Sequence, residues 1–351
     1  MKNASTGRWT RFILTILVLC LPSVASAQLT FSSIVVFGTS VSDPGNAFTL
    51  LAHPLPGMNM ESNVKQTTPP YDTLDDDLTP FAPYARGGHH FSNGATWIEQ
   101  YAQGRGFFAA NVAAAFQSKN PEAHNYAVTG ARATADFPDR INLPQQVQAF
   151  LNDVGQTPPA DALYVIEIGN NDVRDAVVAF LTVYQATQGD QVQASAAAST
   201  IISNALNSIA GNMQTLYALG ARKFLVFNAA RIDLTPTATR MGAQVVAVAA
   251  NLTNGFNQSL AQNVLSSAAL GGLPGIQIAQ LDIASHMAAI IGQPCNFGLA
   301  NVTDPCITPN TPFTCKKPDN YFFWDGIHPT KAVHAIIAQT AAEVLANYPN
   351  P

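Results

Sequence analysis

Charge is scarce in this sequence. Of 351 residues only 17 are Lys or Arg and 22 are Asp or Glu, 11% in all, where soluble domains carry about a quarter. So few cations, with no basic patch among them, argue against nucleic acid as a partner. Cysteine is also rare, four residues with no C-x-x-C pair, so a zinc site has no ligand framework. There is no H-E-x-x-H, no internal repeat, no interdomain linker and no long low-complexity tract. With 47% hydrophobic and 9% aromatic residues, disorder is excluded and a full core can form without staples.

Signals for cofactors and metals are equally thin. Gly104-Arg105-Gly106-Phe107-Phe108-Ala109 matches a loose G-x-G-x-x-A pattern, but it follows the helical stretch Ala95 to Gln103 rather than a strand, so the dinucleotide context is missing. Asp75-Asp76-Asp77 lacks the alternation of a calcium loop. His89, His90 and His124 have no nearby third ligand. No cofactor and no metal are expected.

The N-terminus reads as a targeting segment. Lys2, Arg8 and Arg11 precede the apolar run Phe12 to Leu21, too short to span a bilayer comfortably, and Ala25-Ser26-Ala27 offers a cleavage site. Residues 1–27 are therefore expected to be a signal peptide cut before Gln28, with an uncleaved anchor as the alternative. The mature chain keeps 14 basic against 22 acidic residues, an acidic exported protein. Cys20 leaves with the signal. Cys295, Cys306 and Cys315 remain in one loop-like segment, where an oxidising compartment can close one disulfide.

Short buried strands are expected at Ser33 to Phe37, Ala162 to Ile168, Lys223 to Phe227 and Ile276 to Ile283, separated by Ala-rich helical stretches at Gln191 to Leu219 and Gln244 to Leu270. This alternation predicts a mostly parallel sheet covered on both faces, in one domain from residue 28 to 351. The Pro-rich stretch from His53 to Phe91 has no sustained period and reads as a long insertion.

Ligands of open parallel sheets bind beyond the C-terminal strand ends. There the sequence places Gly38-Thr39-Ser40-Val41-Ser42-Asp43-Pro44-Gly45-Asn46, then Gly169-Asn170-Asn171-Asp172, and finally Phe323-Trp324-Asp325-Gly326-Ile327-His328-Pro329-Thr330. A Ser hydroxyl needs a base to take its proton, and an acyl-transfer intermediate needs donors aimed at its oxyanion. His328 supplies a base, and Asp325, three residues earlier, a carboxylate to fix its tautomer.

These blocks, with Asn125-Tyr126-Ala127-Val128-Thr129-Gly130-Ala131, resemble the four ordered motifs of the GDSL lipase/esterase family, also called SGNH hydrolases, and the resemblance covers nearly the whole mature chain. Pro69-Pro70-Tyr71, Phe91-Ser92-Asn93-Gly94 and Leu234-Thr235-Pro236 are smaller echoes. The resemblance implies an α/β fold, a three-layer α/β/α sandwich with a flavodoxin-like parallel sheet. It implies Ser40, Asp325 and His328 as the catalytic triad, and an oxyanion hole from the Ser40 N–H, the Gly130 N–H and the Asn171 side chain. Relatives carry two Cys before the D-x-x-H block, which implies a Cys306 to Cys315 disulfide and a free Cys295. The α/β-hydrolase fold fits poorly, since no G-x-S-x-G occurs and Asp325 and His328 are too close in sequence.

One departure stands out: Thr39 occupies the position where relatives usually carry Asp, beside the nucleophile. A retuned site is expected, with a catalytically impaired binding module as the alternative. Expected partners are a small-molecule, lipid or carbohydrate ester and, transiently, a membrane surface; the chain is expected to be a monomer. Phospholipase and acyltransferase activity stay open beside simple ester hydrolysis.

Overall fold

The computed structural model describes residues 30–52, 89–107, 112–116, 124–135, 141–307 and 314–348. The expected signal peptide, Asp75 to Asp77, Pro69 to Tyr71 and most of the expected insertion from His53 lie outside these residues.

Strands β1 (Ile34–Gly38), β2 (Leu163–Glu167), β3 (Lys223–Phe227) and β4 (Gln277–Leu281) form one parallel sheet in the order β1-β2-β3-β4. Around it run α1 (Asn46–Ala52), α2 (Trp97–Gly104), α3 (Leu143–Asp153), α4 (Asn170–Ala186), α5 (Gln191–Ala218), α6 (Pro236–Arg240), α7 (Ala243–Ser259), α8 (Ile283–Gly292) and α9 (Lys331–Ala346). A two-stranded parallel ladder, β5 (Asn301–Pro305) with β6 (Tyr321–Phe323), stands apart from the main sheet. β1 and β2 are apolar on both faces because both are covered. Val35, Phe37, Tyr164, Ile166, Phe224 and Val226 pack into a core with α3 and α5, while Ile34, Val36, Leu163, Val165, Leu225 and Phe227 pack into a second core with α2, α8 and α9. Successive strand residues thus feed opposite layers, which makes the α/β/α sandwich.

On the other side of β1, the segment at Asn125 and Tyr126 pairs with Val36, through Val36 N–H to His124 O at 2.9 Å and Tyr126 N–H to Val36 O at 2.8 Å. The chain therefore leaves β1 to one side and returns to β2 on the other. That reversal is a topological switch point, and the crevice beyond the C-terminal end of β1 is where such a sheet binds ligands.

Two expected boundaries differ. The helix foreseen from Gln244 to Leu270 ends at Ser259, continues as a π-helical turn over Leu260–Val264, and gives way to a short 3-10 turn at Leu270–Gly272. The strand foreseen to Ile283 stops at Leu281, because Asp282 accepts the Ser285 N–H at 3.0 Å and starts α8. Among the described residues, no helix is long and apolar enough to cross a membrane.

Candidate active site

Gly38 ends β1 and the chain turns at once. Its N–H donates to Gln146 Oε1 at 2.8 Å and its carbonyl accepts from Gln146 Nε2 at 2.9 Å, so a fully buried amide on α3 completes both backbone bonds. Asp43 then caps α1, accepting from the N–H groups of Gly45, Asn46 and Ala47, and its second oxygen takes the Thr129 N–H and hydroxyl at 2.9 and 3.0 Å. Asn46 donates to the carbonyls of Asn125 and Ala127 at 2.7 and 2.9 Å. The Gly38 to Asn46 and Asn125 to Ala131 blocks are thus stitched together by side chains that the sequence motif contains.

The C-terminal block is equally fixed. Trp324 N–H donates to His328 O at 2.8 Å and Thr330 N–H to Phe322 O at 2.9 Å, closing a tight loop over residues 324–329. Inside it, Asp325 Oδ1 accepts the N–H groups of Ile327 at 2.9 Å and His328 at 2.7 Å. Its Oδ2 lies 2.7 Å from His328 Nδ1, and His328 Nε2 lies 2.9 Å from Ser40 Oγ. Ser40, Asp325 and His328, 285 or more residues apart across the first gap, thereby meet in one line of hydrogen bonds. Thr237 N–H donates to Gly326 O at 3.0 Å, Ser92 Oγ to Pro329 O at 2.9 Å, and the Phe91 ring lies 5.5 Å from the His328 ring. Phe91 and Ser92 of one smaller motif, and Thr237 just after another, therefore brace the histidine loop. So do the cysteines: Cys306 and Cys315 form a disulfide packed with Trp324, and the N–H groups of Cys306 and Ile307 bond to Phe323 and Trp324. Cys295 is free and exposed.

Val128 to Ala131 form a turn closed by Ala131 N–H to Val128 O at 3.1 Å. Gly130, at its third position with φ +74°, meets a backbone demand that favours glycine. Val128 N–H bonds Gly38 O at 3.1 Å, and Asn171 Nδ2 donates to Ala131 O at 2.9 Å, which brings the turn, the end of β1 and the start of α4 together. Arg132 bonds the Gly130 carbonyl and pairs with Asp175. Asp172 accepts the Ala133 N–H with both oxygens, and burial pushes its carboxyl up to about 7. None of these bonds uses the Gly130 N–H.

A cleft of about 1270 Å³, counting its open mouth, lies over this assembly. Ser40, Asn171 and His328 line it; Gly130 and Asp325 do not. Its walls are mostly apolar, with Val177 and Leu181 from α4, Val245 from α7, and Ile283 and Met287 from α8. Among the described residues no group of His, Cys, Asp and Glu is arranged to hold a metal; His90 faces Glu99 at 2.8 Å and His89 stacks on Phe48.

Sequence reasoning missed Gln146 and Glu167. Glu167, the last residue of β2, is buried beside Thr39, whose N–H donates to Oε2 at 3.0 Å and whose hydroxyl lies 3.1 and 3.0 Å from the two carboxyl oxygens. Burial pushes this carboxyl up to about 7 against the hydrogen bonds that lower it.

A hydroxyl, an imidazole and a carboxylate lie in line at the switch point of a parallel sheet, an arrangement of the kind serine hydrolases use. The family described as GDSL-like lipase/acylhydrolase matches residues 34–341, and the chain belongs to that family. It is similar to GDSL esterase/lipases of Arabidopsis thaliana, two of them 25% identical, one over 90% of this chain and 89% of the relative, the other over 90% and 91%. It is also 23% identical, over 91% of each chain, to a phosphatidylcholine-sterol acyltransferase of Aeromonas hydrophila. The chain is accordingly a carboxylic ester hydrolase of the GDSL type.

Proposed function

We propose that this protein is an exported serine esterase acting on esters with an extended acyl chain. The contact from Ser40 Oγ to His328 Nε2, at 2.9 Å, carries this reading. His328 removes the Ser40 proton as Oγ attacks the ester carbonyl, and returns it to the leaving alcohol. Asp325 holds the ring with the proton on Nδ1 and stabilises the imidazolium. The Ser40 and Gly130 N–H groups and the Asn171 amide, which lies on the cleft wall, receive the oxyanion. Water, activated by the same histidine, releases the acid from Ser40.

The apolar walls support an acyl chain as the part of the substrate bound there, because an alkyl chain gains about 0.8 kcal/mol per buried methylene. The basic, apolar and small-residue succession within residues 1–27 supports export with cleavage before Gln28, leaving a single hydrolase domain. Transfer of the acyl group to an alcohol is the second reading, favoured by the acyltransferase relative; the acyl-enzyme is the same and only the acceptor differs.

The test is hydrolysis of p-nitrophenyl esters from two to sixteen carbons, with a Val245→Trp variant that fills the cleft wall. We expect kcat/KM to rise with chain length through the middle of the series, and Val245→Trp to cut long-chain turnover about 10-fold or more, as several methylenes lose their site, while acetate hydrolysis stays within about 3-fold. Equal loss on all esters would remove the cleft from the reading.

A further inference from the structure

Glu167 has no part in the mechanism above, yet it is 1% exposed and sits against the nucleophile turn. It is paired in register with Gly38 across the sheet. A Cβ on Gly38 would stand 3.0 Å from Glu167 Oε2 and 3.0 Å from its carbonyl oxygen, so the glycine is what lets the carboxyl reach the turn. Thr39 donates to the carboxyl through its N–H and its hydroxyl. Asn170 Nδ2 also reaches Oε1, at 3.3 Å, while Asn170 Oδ1 accepts the Ala230 N–H at 2.8 Å. Thr39 directly precedes Ser40, and Asn170 directly precedes Asn171.

We propose that Glu167 is a positioning residue that holds Ser40 and Asn171 in mutual register, with its carboxylate clamping the residue before each of them. The inference rests on the reading of Ser40 as nucleophile and Asn171 as oxyanion donor. Its chemical logic is that the attacking oxygen and the oxyanion donor must keep a fixed separation in the transition state, and misplacement of about 1 Å costs about 100-fold. One anion bonded to both turns fixes that separation more tightly than either turn does alone. The carboxylate stands on the β2 side of the contact, opposite Thr39, so the same bridge can be built by moving it to position 39.

The experiment is steady-state hydrolysis of p-nitrophenyl butyrate at pH 8 by the full chain and by Glu167→Gln, Thr39→Asp and the double variant Thr39→Asp/Glu167→Gln, with thermal melts of each. In Glu167→Gln, kcat is expected to fall at least 10-fold with KM within about 3-fold, since the groups that move act mainly in the transition state. Its melting temperature is expected to stay level or rise, because a buried carboxyl is replaced by a neutral amide. Thr39→Asp alone, which sets two carboxyls in contact, is expected to lose activity too. The double variant is expected to recover to within about 3-fold of wild type. The inference is overturned if Glu167→Gln keeps its kcat within 2-fold, if the loss lies in KM, if it tracks a fallen melting temperature, or if the double variant is no better than Glu167→Gln. A wild-type chain that neither turns over esters nor reacts at Ser40 would overturn the active-site reading, and this inference with it.

Discussion

Replacing Asp325 by Asn tests how His328 is held. In the structure Asp325 Oδ1 accepts two backbone N–H groups, from Ile327 and His328, and Oδ2 faces His328 Nδ1. An amide has one oxygen to offer. If that oxygen faces the ring, the NH2 meets two N–H donors and leaves them unpaired, at about 1–3 kcal/mol for the buried one of His328 and less for the part-buried one of Ile327. If it keeps the two N–H groups, the NH2 faces Nδ1, which must then accept. The second arrangement is favoured by about 2 kcal/mol or more on that count. The imidazole proton is then forced onto Nε2, toward Ser40 Oγ, so the ring cannot take the serine proton. Loss of the right tautomer in a Ser-His-Asp site costs about 10⁴ in kcat, or about 5 kcal/mol of transition-state stabilisation. Because the amide keeps the backbone bonds of the loop, the melting temperature should change by no more than about 2 °C. The assay is kcat on a short p-nitrophenyl ester beside a thermal melt. A folded Asp325→Asn protein within 10-fold of wild-type kcat would refute the reasoning, since His328 would then be held by something other than the carboxylate.

Two further outcomes are expected. His334 is buried on α9, where its Nδ1 accepts the Trp97 N–H at 3.2 Å, and burial, then the nearby His90 and His328, lower its pKa to about 3. The unfolded chain takes up this proton near 6.5, so stability is full above that pH and is lost as pH falls toward 3. Between pH 7.5 and 4.5 this group removes about 3 kcal/mol, a share that denaturant unfolding should find missing in His334→Gln; identical pH dependence in the two proteins would contradict it. The Cys306 to Cys315 disulfide closes a loop with a sequence separation of 9, and its reduction should cost about 2.5 kcal/mol on loop-entropy grounds. With an unfolding entropy of about 2 cal/mol/K per residue, the melting temperature should fall by about 4 °C in a thiol-containing buffer, and kcat should fall as well, because Cys306 and Ile307 bond Phe323 and Trp324 just ahead of Asp325.

Much of this was legible in the sequence where local chemistry decides. The four runs became β1 to β4: β1 and β2 are buried at every position because both faces are covered, while β4, last in the strand order, alternates buried and half-buried residues. The Ala-rich stretch from Gln191 became α5, capped by Asp190 through the N–H groups of Val192 and Gln193. That Asp325 and His328 share one tight loop was legible from their spacing of three, and that Ser40 follows directly on the first strand from the apolar run before it; their choice as candidate site residues rested on the family resemblance. What escaped depends on distant partners. Gln146 and Glu167 bond to Gly38 and Thr39 across 108 and 128 residues, so nothing near either residue marks it. α8 was hidden because the apolar run continues from β4 past Asp282, whose capping role depends on geometry rather than composition. Thr39 was read as the loss of a carboxylate beside the nucleophile; in the structure Thr39 is bonded to a carboxylate that arrives from the next strand.

The most direct test of the account is covalent labelling of the chain from Gln28 onward by an alkyl fluorophosphonate, with the modified peptide located by mass spectrometry. An activated serine beside His328 predicts one phosphonyl group per chain, carried by Ser40, with labelling abolished in Ser40→Ala and ester turnover reduced about 10⁶-fold in both Ser40→Ala and His328→Ala. Ester turnover that persists in Ser40→Ala, or a label that settles on another residue, would contradict it.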